Sequence, residues 1–278
     1  MKRILTIQDI SCVGKCSLTV ALPIISAFGV ETSVIPTAVL STHTAFKDFT
    51  FNDLTEDIPK IADHWKKQNI TFDAVYTGYL GSFQQLDLVS QIFKDFKSEN
   101  NFILVDPVMA DNGKLYPGFD KDFALSMAKL CSQADIIVPN MTEASFMLDI
   151  PYVSSGYTET YIRDLLKKLT DLGCKKAVLT GISFNPEQLG VYGYDSVKNE
   201  YFSYYNKHLP VSFHGTGDVF ASSLCGALAI DKSLDKALQI AVDYTVKSIE
   251  KTIENTNHNW YGVDFETAIP YLVDKIKK

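Results

Sequence analysis

The chain predicts an α/β fold of three layers, with helices on both faces of a mainly parallel central sheet and a β-hairpin at one sheet edge. Three observations carry this prediction. Short apolar runs rich in β-branched residues alternate with longer segments of helical period, most connections between them are short, and one stretch near residue 200 alternates in the manner of an edge hairpin.

Taken in order, the candidate strands are 3–9, 32–39, 73–78, 102–106, 135–138 and 176–180. The candidate helices lie near 15–28, 54–68, 83–98, 120–131, 142–149 and 158–172. Across 188–206, Leu189, Val191 and Tyr192 are followed by Tyr201, Phe202 and Tyr204 on the far side of the turn-like Asp195-Ser196-Val197-Lys198-Asn199, which predicts the hairpin. Two helices, about 216–230 and 234–253, close the core, and a last one covers 264–277. No repeat, low-complexity tract or linker interrupts the pattern, so one domain over 1–278 is expected. The loop-rich stretches are 40–53, 107–119, 150–157 and 181–187, and in open α/β sheets ligands gather at loops beyond the carboxyl ends of strands.

With 278 residues, 46% of them hydrophobic, the chain can bury roughly three quarters of its unfolded surface, as an enzyme does. The net charge of −7 comes without a lysine or arginine block, which argues against nucleic acid as a partner. An acidic protein that handles phosphate must neutralise it locally, through backbone amides or a divalent cation, and magnesium suits that role. The apolar run Ile4-Leu5-Thr6-Ile7 begins almost at once, without a signal-like region or a long apolar stretch, so a cytoplasmic protein without membrane partners is expected. Five cysteines, an odd number without a Cys-x-x-Cys pair, speak for reduced thiols rather than a disulfide framework or zinc site.

The run from Phe213 to Leu224 is the most informative. Gly215, Thr216 and Gly217 precede Asp218, after which Val219, Phe220, Leu224, Ala227 and Leu228 recur at helical spacing. Such a loop places unbonded amides at a helix N-terminus, where they favour phosphate oxygens, beside a carboxylate able to act as a base. An ordinary helix start, capped by Thr216 and with Asp218 complementing the dipole, reads the same residues differently.

Other candidates sit at strand ends. Asp9 is followed by Ile10-Ser11-Cys12-Val13-Gly14-Lys15-Cys16-Ser17, which matches a phosphate loop only at Gly14-Lys15 and has Cys16 where a hydroxyl is needed. The segment, with Asp9 and Ser11, is read as substrate-facing, or Asp9 simply caps the turn. His43 and Thr44 lie in a hydroxyl-rich loop suited to a small polar ring. Asp106 and Glu143 follow two strands and could hold magnesium, mostly through water; alternatively Asn140 or Thr142 caps the next helix, with Glu143 in its first turn. Thr180-Gly181 could meet a phosphate or form a turn.

In this order, Thr77-Gly78-Tyr79-Leu80-Gly81-Ser82, Asp106-Pro107-Val108, Pro139-Asn140 with Glu143, and Gly215-Thr216-Gly217-Asp218 resemble the vitamin B6 kinases of the ribokinase superfamily over nearly the whole chain. The resemblance implies a ribokinase-like fold and ATP-dependent phosphorylation of the 5′-hydroxymethyl group of pyridoxal, pyridoxine or pyridoxamine. It makes Asp218 the base and Gly215, Thr216 and Gly217 the amides that receive the transferring phosphoryl group. Asp106 and Glu143 match the metal and phosphate neighbourhood, Asp111 and Tyr116 a loop over the active site, and Thr180 a nucleotide-binding threonine, with Asn140, Gly181 and Leu209 on the same nucleotide side. His43, Thr44 and Tyr79 join Asp9 and Ser11 around the vitamer. The resemblance further implies Mg2+, with a monovalent cation as an additional candidate, and a homodimer.

Departures bear on the substrate. Asp9 stands where these kinases often carry a ring-contacting serine, which suggests a lean toward pyridoxamine or pyridoxine over pyridoxal. Hydroxymethylpyrimidine kinases share the fold but often carry Cys at the place of Asp218, and a ligand-binding homologue without turnover is the third reading.

Overall fold

The computed structural model describes residues 1–277. In chain order the elements begin with β1 (Arg3–Ser11), α1 (Leu18–Ala27), β2 (Glu31–Leu40), β3 (Phe51–Asp53), α2 (Ile58–Lys67) and β4 (Ala74–Thr77). There follow α3 (Phe83–Phe96), β5 (Phe102–Val105), the ribbon strands β6 (Ala110–Asp111) and β7 (Lys114–Leu115), α4 (Lys121–Cys131), β8 (Ile136–Ile137) and α5 (Met141–Met147). The remainder is α6 (Glu159–Asp171), β9 (Lys176–Ile182), β10 (Gln188–Asp195), β11 (Glu200–Lys207), α7 (Thr216–Ala229), α8 (Leu234–Glu254) and α9 (Ile269–Ile276). Nine of the strands belong to a mainly parallel sheet, and β6 and β7 form a separate ribbon, as the α/β prediction requires.

Two compact units are distinguished, Met1–Ala74 with Leu209–Lys278, and Val75–His208. In the first, β1 and β2 run parallel with Arg3 opposite Glu31, and the register shifts between Gln8 and Ile10, so the irregularity falls beside Asp9. Strand β3 adds antiparallel to β2, pairing Phe51 with Leu40. It lies inside the stretch 40–53 expected to be loop, and its three exposed residues carry no apolar alternation that would have marked it. Helix α1 begins at Leu18 rather than near 15, because residues 12–17 turn and Ser17 adopts a left-handed φ of 49°.

In the second unit β5, β8 and β9 are parallel and β10 is antiparallel to β9. The hairpin forms where expected: Gln188 pairs with Lys207 and Asp195 with Glu200, and Asp195 Oδ1 accepts the amides of Val197 and Lys198 to shape the turn. Helix α6 shows why the pattern works. Thr158 caps it by accepting the Tyr161 amide, and Ile162, Leu165, Leu166 and Leu169 fall at helical spacing on the buried face.

Asp135, at the start of β8, joins three segments of this unit. Its carboxylate accepts from Lys97 Nζ at 2.6 Å, Lys175 Nζ at 2.7 Å and the Ile103 amide at 2.8 Å. Burial alone would raise its pKa, but the two ammonium groups and the amide outweigh it and hold the carboxyl below its ordinary range. Asp135→Ala is expected to lower unfolding stability at pH 7 by roughly 1–3 kcal/mol, the scale for stranding partners of a buried polar group. A carboxyl with a depressed folded pKa stabilises above its unfolded pKa and loses that effect as pH falls, so urea titrations at pH 7 and pH 3 should show the deficit shrinking.

Candidate active site

In the first unit, Gly215 sits at φ 82° and precedes α7, whose N-terminus has no side-chain cap. A side chain at 215 would run into the Lys15 carbonyl, so both the left-handed backbone and the close approach call for glycine. Thr216 directs its hydroxyl to the Phe213 carbonyl at 3.3 Å instead of capping, and the first helical bond is Val219 N–H to Gly215 C=O at 2.9 Å. The amides of Thr216 and Gly217 thus come before the helical ladder, at the positive end of a fourteen-residue helix.

Asp218 is half-buried, with the Ser17 amide and its own amide near its carboxyl. Burial, and then the charge of Asp9, push its pKa up to about 7 against the pull of those amides. Asp9 is 4% exposed, takes the Ser11 hydroxyl on Oδ2 at 2.9 Å, lies near the Ser17 hydroxyl, and is itself raised by burial. Cys16 lies in the same group; burial and the charges of Asp218 and Asp9 raise its thiol, which removes thiolate chemistry from the site.

His43 is buried and both ring nitrogens are engaged: Nδ1 accepts the Ala45 amide at 3.2 Å, so Nε2 carries the proton and donates to the Tyr261 carbonyl at 3.0 Å. Its ring is packed among Phe46, His214, Trp260 and Tyr261. Thr44, beside it, is exposed. Leu209 is half-buried, and its carbonyl accepts the Val211 amide at 2.7 Å.

In the second unit, Asn140 and Glu143 form a capping box at the start of α5, each side chain accepting the other's backbone amide, at 2.8 and 2.9 Å. The same helix turn fastens the ribbon. Glu143 Oε1 takes the Met109 amide, Asn140 Nδ2 donates to the Ala110 carbonyl at 2.9 Å, and Thr142 Oγ1 accepts the Gly113 amide at 3.0 Å. The ribbon lies within the 107–119 loop, and no strand pattern marks its two-residue strands in the sequence. Asp111 and Tyr116 are exposed on it. Asp111 accepts from Asn112, and the Tyr116 amide bonds Met109 O at 2.8 Å. Tyr79 packs its ring 5.6 Å from Phe119. The Thr180 amide bonds Pro139 O at 3.0 Å, and Gly181 is the extra residue where β9 slips against β10.

Asp106 and Glu143 are both buried, and burial is the leading cause that raises Glu143 to about 8. Among the described residues no three His, Cys, Asp or Glu are grouped as a metal cage. The segment that holds Lys15 and Ser17 reads from the sequence as substrate-facing, and nothing local singles out Tyr261 or Asp264. Their roles arise from chain segments far apart in sequence, which no local spacing announces.

A family model described as phosphomethylpyrimidine kinase matches residues 23–262. Pyridoxal kinase of Dictyostelium discoideum is 32% identical over 243 residues, covering 81% of this chain and 77% of that protein. The chain belongs to the pyridoxal kinase family of the ribokinase superfamily. Pyridoxal kinase of Lactobacillus plantarum superposes with a TM-score of 0.89 at 29% identity, over 99% of this chain and 97% of that one. A Bacteroides thetaiotaomicron protein that bears the name of a phosphomethylpyrimidine kinase, crystallised with pyridoxal, superposes at 0.92 with 38% identity, over 98% and 95%. These kinases share the mainly parallel sheet described above. Among the described residues no helix is long and apolar enough to cross a membrane.

Since Thr142 holds the ribbon by one hydroxyl, Thr142→Val should raise the hydrogen-exchange rate of the Gly113 amide while leaving the amides of α5 protected. Unchanged exchange at Gly113 would mean that the bond contributes nothing to ribbon order.

Proposed function

We propose that this chain transfers the γ-phosphoryl group of ATP to the 5′-hydroxymethyl group of a vitamin B6 vitamer, with residues 1–278 acting as one kinase domain. The observation that carries the reading is the half-buried Asp218 beside the uncapped start of α7. Asp218 takes the proton from the hydroxyl, the freed oxygen attacks the γ-phosphorus, and the bond to the β-phosphate oxygen breaks to leave ADP. The amides of Gly215, Thr216 and Gly217 hold the equatorial oxygens through this loose transition state. Magnesium, when bound, would offset phosphate charge, and Asp106 and Glu143 would hold it largely through water. Asn140, Asp111, Thr180, Gly181 and Leu209 are assigned to the nucleotide, and Ser11, His43, Thr44, Tyr79 and Tyr116 to the vitamer, His43 through its ring face because its nitrogens are engaged.

Asp9 is assigned to Asp218 rather than to the pyridine ring, since its carboxyl is buried among the hydroxyls of Ser11 and Ser17. The reason for a lean toward pyridoxamine or pyridoxine over pyridoxal falls away with that assignment. Comparing kcat/KM for pyridoxal, pyridoxine and pyridoxamine checks it, and a clear preference for pyridoxamine would restore the ring contact. The matched family description favours a second reading, phosphorylation of hydroxymethylpyrimidine. A coupled assay that includes this pyrimidine separates the two. The homodimer is proposed from the family resemblance and is checked by sedimentation.

Asp218→Asn should lower kcat by roughly 10²–10⁴-fold, the scale for losing a positioned proton acceptor, and leave nucleotide affinity unchanged. Near wild-type turnover would reject Asp218 as the base. Because a base works only when ionised and burial lifts Asp218 to about 7, kcat/KM should fall with decreasing pH below that value. Asp9→Asn removes the charge that adds to the lift, so its acid limb should move to lower pH; a limb that stays in place would contradict the coupling.

A further inference from the structure

Lys15 follows Gly14 as the lysine of a phosphate loop would, yet its ammonium is bound within the protein. Nζ donates to Asp264 Oδ1 at 2.6 Å and Glu266 Oε2 at 2.9 Å, with only 13% of the side chain exposed. Asp264 is fixed in turn, its amide on Thr252 Oγ1 at 2.7 Å and its Oδ2 on Asn255 Nδ2 at 2.8 Å. Gly262 lies directly against the Lys15 stem, where a side chain at 262 would collide. The Lys15 carbonyl meets Gly215 on its other side. Val263 N–H bonds the His214 carbonyl at 3.2 Å, so residues 14–17, 213–218 and 261–266 pack as one block within the first unit.

Two residues beyond Lys15, Ser17 holds φ 49° and ψ −131°, a backbone that a residue with a side chain adopts only when its surroundings impose it. In that conformation its amide meets the Asp218 carboxyl and its hydroxyl meets Asp9. Thr19 Oγ1 adds bonds to the Gly14 and Cys16 carbonyls, at 3.2 and 2.8 Å, but it belongs to α1 and cannot pull the turn toward residues 261–266.

We propose that Lys15 is a positioning residue whose ion pairs with Asp264 and Glu266 hold the 14–17 turn where the Ser17 amide reaches Asp218. The proposal rests on the reading of Asp218 as the base. The groups around that carboxyl are few. Asp9 comes from β1 and Cys16 from the turn, His214 precedes it in its own loop, α1 brings no charged residue, and Lys15 is drawn away to its acidic partners. Loosening the turn therefore acts on Asp218 mainly through the Ser17 amide, which favours the ionised form.

The test compares wild type, Lys15→Met, Lys15→Arg and Asp218→Asn for kcat, for both KM values and for the pH dependence of kcat. Lys15→Met is expected to lower kcat by about 10–100-fold, the scale for a displaced catalytic group, with KM for ATP unchanged and the acid limb moved to higher pH. Lys15→Arg, which keeps the charge, should recover part of kcat and return the limb toward wild type. A raised KM for ATP with the limb in place would make Lys15 a phosphate ligand and overturn the proposal, as would wild-type kcat and limb in Lys15→Met. Should Lys15→Met fail to fold by circular dichroism, Glu266→Gln, at the half-exposed end of the pair, is expected to move the limb the same way by less, and an unmoved limb overturns the proposal. Near wild-type turnover in Asp218→Asn would instead sink the base assignment and this proposal with it, whereas an inactive Asp218→Asn beside a wild-type-like Lys15→Met would sink this proposal alone.

Discussion

A carboxyl group held partly out of water at the start of α7 sets the terms for the first unit. Burial and a second acid destabilise its charge, while two amides and the helix dipole favour it, and the balance leaves it titrating near neutrality. Each contributor comes from a different place in the chain: Asp9 from a register slip in β1, the Ser17 amide from a left-handed residue before α1, and the helix itself from the glycine loop. The packing of residues 14–17 against 213–218 and 261–266 follows from the need to keep these parts together. That is why glycine stands at 215 and 262, where any side chain would separate them.

The second unit meets a related requirement by other means. Its acid, Glu143, is buried more deeply and serves first as half of a capping box. Capping and metal binding are not rivals in physical terms, since a carboxylate offers more lone pairs than the amides of Asn140 and Met109 occupy. Burial is the leading cause that raises its pKa, against the pull of the amides it accepts.

Much of this was legible in the sequence. The strand and helix order, the hairpin and the glycine-rich start of α7 are written in local periodicity and turn chemistry, which survive folding because tertiary packing agrees with them. What escaped had no local signature. Strand β3 and the ribbon are too short to show a period. Lys15 belongs with Asp264, 249 positions away, where its own segment reads only as substrate-facing. His43 looked like a hydrogen-bonding group for a ligand, but whether imidazole nitrogens are open depends on which carbonyl folding brings beside them, here that of Tyr261.

The ribbon on α5 has a mechanical consequence. Three side chains from a single turn of helix grip Met109, Ala110 and Gly113, while Asp111 and Asn112 at its tip face solvent. A flap anchored at its root and already paired strand to strand has little freedom left to lose, so settling over a bound molecule would cost it far less disorder than the same residues would surrender as a slack loop.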